Sequence, residues 1–131
     1  MLAGSVNVPH VPLSAREVRH RVRAELAAAR VPVDLVDDVE LVLAELVSNA
    51  VRHAQPGPDG GLVVGWRAEQ SAVEVYVSDG GSPLSVTVRP EWPMAVGGRG
   101  LHLVSGLARA WGIVERRDGG RTVWASVVTD S

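Results

Sequence analysis

Apolar residues recur along this chain with two different periods, and the order in which those periods alternate predicts the fold. A short opening, punctuated by prolines, carries Val6, Val8 and Val11 in weak alternation, which predicts an edge strand within residues 1–13. Val18, Val22, Leu26 and Ala29 then return at helical spacing, and Ser14-Ala-Arg-Glu17 ahead of them has the form of a capping box. The opposite face of that helix carries Arg16, Arg19, Arg23 and Arg30 and is expected to be solvated. Val31-Pro32 breaks it. Asp34, Asp37 and Asp38 suit the positive end of a second helix, expected from about Asp34 to His53 and stopping before the loop Gln55-Pro56-Gly57-Pro58.

From there the period shortens to two. Leu62–Ala68 and Ala72–Ser78, joined by Glu69-Gln70-Ser71, predict an antiparallel hairpin. An irregular stretch from Asp79 to Gly98, rich in Gly, Pro and Ser, has the length of a lid or binding loop. Leu101 to Ala110 is helical in pattern, with Gly98 and Gly100 at its entrance, and Trp111–Arg117 and Thr122–Val128 form a second hairpin around Asp118-Gly119-Gly120. The order predicts one domain over residues 1–131: an α/β (α+β) two-layer sandwich with a mixed, mostly antiparallel sheet and helices on one face.

Composition narrows the function classes. With 131 residues, 46% of them hydrophobic and 21% charged, the chain has enough material for one core and too little for two. No apolar run reaches the roughly 20 residues of a membrane span and no secretory signal is visible, so no membrane partner is expected. Cysteine is absent, which excludes disulfides and thiolate metal sites and is compatible with a cytoplasmic location. A net charge of −2 argues against non-specific binding to nucleic acid. All 13 basic residues are arginine, so chemistry that needs a lysine is excluded.

Within the second helix, Glu45-Leu-Val-Ser-Asn-Ala-Val-Arg-His-Ala54 sets Glu45, Asn49, Arg52 and His53 along one stripe of an otherwise greasy surface. At about 100° per residue, Glu45 and Asn49 are about 40° apart. Buried polar groups need partners, so the stripe either lines a cavity holding a polar ligand or faces water. Two glycine-rich segments favour the ligand. Gly97-Gly98-Arg99-Gly100-Leu101 opens a helix whose free N–H groups suit a phosphate, although that triplet alone fits any tight loop. Asp79-Gly80-Gly81-Ser82-Pro83 ends a strand; its acid is either a turn former or, in an apolar pocket, an acceptor for the exocyclic amine of adenine. A phosphate cradle, an amine acceptor and a helix bearing an amide for a metal ion together describe an ATP site.

These segments resemble the motifs of the Bergerat-fold ATPase superfamily of gyrase, the heat-shock chaperone, histidine kinases and mismatch-repair ATPases, and most of all the anti-sigma-factor serine kinases. Glu45 to Ala54 resembles the N box, Asp79-Gly80-Gly81 the first glycine box, and Gly98-Arg99-Gly100-Leu101-His102-Leu103-Val104 the second. Trp111-Gly112 through Gly120-Arg121-Thr122-Val123-Trp124 is similar to the last hairpin, and the likeness covers nearly the whole chain. The resemblance implies ATP and Mg²⁺ as cofactors. It makes Asn49 the metal ligand and Glu45 the catalytic base toward a serine hydroxyl or water. It gives Arg52 to phosphate charge and His53 to the lid or the phosphates, an ordinary buried histidine being the other reading. Asp79 would bind the adenine amine, with Gly81 making room for the ring. Gly98, Gly100 and Leu101 would offer backbone N–H groups to the phosphates, while Arg99 either reaches the γ-phosphate or points to solvent. Trp111, Trp124 and His102 are expected to be structural.

The implied activity is an ATP-dependent protein serine/threonine kinase acting on an anti-anti-sigma antagonist and sequestering a sigma factor, as a cytoplasmic homodimer without direct nucleic-acid contact. Pro83 stands where the family's box has its second glycine; a fixed φ there stiffens the lid, Ser82 to Val96, and motivates the alternative of a non-catalytic, nucleotide-responsive adaptor. A two-component histidine kinase fits less well, because His20-Arg21-Val22-Arg23 lacks the acid and proline usual after the phosphoacceptor histidine. A helix-turn-helix regulator fits less well still, given the acidic balance and the absence of a basic recognition helix in this sequence.

Overall fold

Both periods are realised as regular elements in the computed structural model, which describes residues 2–69, 71–81, 98–117 and 119–129. The order is β1 (Leu2–Pro9), α1 (Leu13–Ala28), α2 (Val33–His53), β2 (Gly61–Ala68), β3 (Ala72–Asp79), α3 (Gly98–Leu107), β4 (Ala110–Glu115) and β5 (Arg121–Val128). The strands form one sheet in the order β1-β2-β3-β5-β4. All four pairings are antiparallel, so the expected two-layer α+β architecture is borne out, with no parallel pair among the described strands.

The helices cover one face of the sheet, α1 over β1 and β2 and α2 over β3 and β5. Strand alternation turns Leu62, Val64, Trp66, Val73, Val75, Val77, Val123, Ala125 and Val127 inward, where they meet Val18, Val22 and Leu26 of α1 and Leu35, Val39, Leu43, Leu46 and Val47 of α2. The indole of buried Trp66 donates to the Glu25 carboxylate on α1 at 3.3 Å, which satisfies its one polar atom inside the sandwich.

Three local expectations are corrected. The capping box does not form: α1 begins at Leu13 after Pro12, and Ser14, already inside the helix and buried, donates its hydroxyl to the Pro9 carbonyl at 2.6 Å. Proline with its preset φ starts the helix, and Ser14 ties the helix to the end of β1. Ala29 is an exposed C-cap rather than a core residue. The helix closes as a Schellman motif, with Arg30 at φ 62 where glycine is usual, Arg30 N–H on Ala27 O and Val31 N–H on Leu26 O, both 3.0 Å. Thirdly, α3 starts at Gly98 and ends at Leu107, and Ala110 already belongs to β4.

The arginine face of α1 is exposed, yet Arg23 pairs with Asp37 and Glu40 and Arg19 with Glu40, so it also ties α1 to α2. Such exposed pairs contribute little stability compared with the core. Leu43→Ala, at a position with 0% exposure, is expected to lower unfolding free energy by about 2–5 kcal/mol. Leu41→Ala, 44% exposed on the same helix, should change it by less than about 0.5 kcal/mol in urea titrations.

Candidate functional site

Helix α2 buries nine residues along its length, and Asn49 is the one polar side chain among them. It is 3% exposed, and its Oδ1 has no hydrogen-bond partner. An orphaned buried acceptor costs about 1–3 kcal/mol. Glu45, one turn earlier on the same stripe, is partly buried. Arg52 and His53 are exposed in the last turn, where positive charge also suits the negative end of the helix. The stripe is therefore graded from a buried amide to a wet, basic end.

The exit of α2 is anchored to the glycine turn after β3. Gln55 N–H donates to Gly81 O at 2.7 Å and Gly80 N–H to Gln55 O at 2.8 Å. Such close approach needs residues without a side chain: a Cβ on Gly80 would meet the Pro56 carbonyl, and one on Gly81, at φ +92, would meet the Gly119 carbonyl. Gly81 is thus required by the backbone, whatever ligand it also accommodates. A second anchor escaped sequence reasoning. His10, just after β1, places Nε2 at 3.1 Å from Ala50 O and 2.8 Å from Ala54 O, the last carbonyls of α2. Both partners are acceptors only, so Nε2 carries the proton. A lone histidine in a turn offers no signal in the sequence for a contact with a helix forty residues away.

Asp79 is fully buried at the inward end of β3, in line with Val73, Val75 and Val77. Its Oδ1 accepts from Gly81 N–H at 2.7 Å, and its Oδ2 lies 3.5 Å from Nη2 of Arg121, its cross-strand partner on β5. Arg121, 5% exposed, was also missed; extending the inward series Val127, Ala125 and Val123 by one more step of two would have found it. Its Nε has no hydrogen-bond partner. Arg116 braces the same corner, donating to the Asp79 carbonyl at 2.9 Å. A groove of about 400 Å³ reaches Asp79, bordered by Asn7, Pro58, Ser78 and Arg116 and by none of Glu45, Asn49, Arg52 or His53.

Gly98, Arg99, Gly100 and Leu101 form the first turn of α3, whose leading N–H groups are free of intrahelical partners, and α3 packs against α2. The side chains of Arg99, Leu101 and His102 lie outside the described residues, as do Pro83 and the expected lid, Ser82 to Val96. Trp111 donates to Ser105 at 2.8 Å, joining β4 to α3, and Trp124 packs against Gly112 across the last hairpin. Among the described residues no group of three His, Asp or Glu side chains could hold a metal ion, and no helix is long and apolar enough to cross a membrane.

The family model of the histidine kinase-like ATPase domain matches residues 8–127. The serine-protein kinase RsbW of Listeria innocua serovar 6a is 28% identical over 86 residues, covering 56% of this chain and 55% of that protein. The chain thus spans about half the length of the curated relative it matches. The crystal structure of the RsbU and RsbW domains of a Mycobacterium tuberculosis protein aligns with a TM-score of 0.72 at 21% identity, over 98% of this chain and 32% of that one. A chain in the SiaB–SiaC complex of Pseudomonas aeruginosa aligns with a TM-score of 0.62 at 18% identity, over 96% and 89% respectively. At such identities the two structures share the fold.

The Asp79 corner has a pH signature. Burial holds the carboxyl above its usual 3.8, against the opposing pull of Arg121, the Gly81 N–H and Arg116. The folded state therefore holds this proton more tightly than the unfolded chain does. The resulting stability is fully present below pH 3.8 and is lost as pH rises through the elevated folded-state value. The stability of the wild type relative to Asp79→Asn should accordingly fall as pH is raised from 3.8 toward neutrality in urea titrations. A difference that rises over that range would contradict the assignment.

Proposed function

Because the chain belongs to the histidine kinase-like ATPase domain family, we propose that it is an ATP-binding regulator. In this reading it is a serine/threonine kinase that phosphorylates an anti-anti-sigma protein and sequesters a sigma factor, acting as a cytoplasmic homodimer. The serine kinase named for the Listeria relative supports the activity, and the two-protein complex of the Pseudomonas neighbour supports regulation through a partner. The observation that carries the nucleotide reading is the orphaned Oδ1 of Asn49, a buried oxygen acceptor one turn from a carboxylate on an apolar helix.

That donor set fits Mg²⁺ arriving with a nucleotide. A hard cation takes oxygen ligands, and one amide oxygen, with no group of three His, Asp or Glu side chains beside it among the described residues, leaves most of the ion's positions to phosphate and water. Bound there, the ion supplies neutralisation of phosphate charge. Asn49 would hold it, and Glu45 would take the proton from the attacking serine hydroxyl. Arg52, His53 and Arg99 would neutralise phosphate charge, the N–H groups of Gly98, Gly100 and Leu101 would receive phosphate oxygens, and Asp79 would accept the adenine amine beside Gly81. Phosphoryl transfer rests mainly on positioning and charge neutralisation, so the absence of lysine is no obstacle.

Asn49→Ala is expected to take Mg-ATP binding out of the calorimetric range while the variant stays folded; binding like the wild type would remove Asn49 from the site. Glu45→Ala should keep Mg-ATP affinity and lower phosphoryl transfer by about 10²–10⁴-fold, measured with labelled ATP and a candidate antagonist domain. If the wild type binds Mg-ATP but leaves the antagonist's serine unlabelled, the kinase reading gives way to the nucleotide-responsive adaptor.

A further inference from the structure

Two polar atoms of one corner are left with work to do once the fold is complete. Oδ1 of Asp79 is taken by Gly81 N–H at 2.7 Å, but Oδ2 has only a long approach of 3.5 Å from Arg121 Nη2. Arg121, 5% exposed, keeps its Nε–H without any acceptor. A guanidinium carries five N–H donors in a rigid fork, so a buried one with an unused donor is a group awaiting an acceptor. The two residues are held face to face by strand register, Asp79 opposite Arg121 between β3 and β5, and Arg116 braces the corner through the Asp79 carbonyl. The result is a carboxylate reached by a groove of about 400 Å³ and, 3.5 Å from its Oδ2, a buried guanidinium with one N–H unused.

We propose that Arg121 is a base-reading residue of the nucleotide site, its Nε–H donating to a ring nitrogen while Asp79 accepts from the neighbouring exocyclic amine. An acceptor next to a donor complements the amine and N1 edge of a 6-aminopurine. Guanine presents a carbonyl and an N–H at those positions, so in the same pose acceptor would face acceptor and donor would face donor. The arginine thereby turns a single amine contact into a two-point reading of adenine, and the ligand relieves the unpaired donor that the fold leaves behind. This inference rests on the nucleotide reading above and names the group that selects the base.

The test compares ATP with 1-deaza-ATP, which keeps the amine and lacks the N1 acceptor, by calorimetry with Mg²⁺ on the full chain. The wild type is expected to bind 1-deaza-ATP about tenfold more weakly than ATP, the size of one hydrogen bond from a charged donor. Arg121→Met should bind both within about twofold of each other, at the weaker level, since the lost contact is the same one. The wild-type comparison needs no variant and stands even if Arg121→Met fails to fold. Equal binding of the two nucleotides by the wild type, with ATP still bound, overturns the role of Arg121 and leaves the nucleotide reading intact. Tighter ATP binding by Arg121→Met also overturns it, making the arginine a competitor for Asp79. Failure of the wild type to bind any adenine nucleotide overturns both.

Discussion

Two backbone hydrogen bonds, from Gln55 N–H to Gly81 O and from Gly80 N–H to Gln55 O, hold together the two parts of this molecule on which the proposed nucleotide site draws. They fasten the exit of α2 to the end of β3, so the polar stripe and the buried Asp79 are placed relative to one another by the main chain and not by side-chain packing alone. The fastening explains the composition of the turn. Gly80 and Gly81 approach the Pro56 and Gly119 carbonyls too closely for a Cβ, and Gly81 also adopts a left-handed φ. His10 reinforces the junction from the other side by donating to the last carbonyls of α2, which ties β1 to the same point.

Around that junction the sandwich is almost wholly apolar, which makes its few buried polar residues informative. Ser14, Asn49, Asp79 and Arg121 are the buried polar or charged side chains among the described residues. Ser14 is satisfied by the Pro9 carbonyl, and Asp79 by Gly81 and, at longer range, Arg121. The two atoms left without partners, Asn49 Oδ1 and Arg121 Nε, are one acceptor and one donor. At the Asn49 position leucine or valine would fill the core without the cost of an unmet polar group. In the proposed reading, a ligand with both charged oxygens and a base edge supplies the partners that these two atoms lack.

Much of the architecture was legible because period, breakers and turn residues act over a few positions. The second helix was expected from Asp34 to His53 and is observed from Val33 to His53, and both hairpins fall where alternation and turn residues put them. Local signals failed where two local devices competed. Ser14 to Glu17 has the spacing of a capping box, but the N-cap is Pro12, two residues earlier, which draws Ser14 into the helix. Arg30 takes a left-handed φ normally left to glycine, because the Schellman closure lets Val31 join Leu26 in the core.

The linear order of residues by itself determined which segments are helix or strand, that Glu45 and Asn49 share a stripe, and that the glycine turns stand at the ends of elements, since each follows from spacings of a few residues. Tertiary structure alone decided that Asp79 faces an arginine, that His10 closes a helix far along the chain, and that the amide oxygen of Asn49 is buried without a partner. Those facts depend on strand register and on how layers stack. They join residues tens of positions apart, and no local period encodes them.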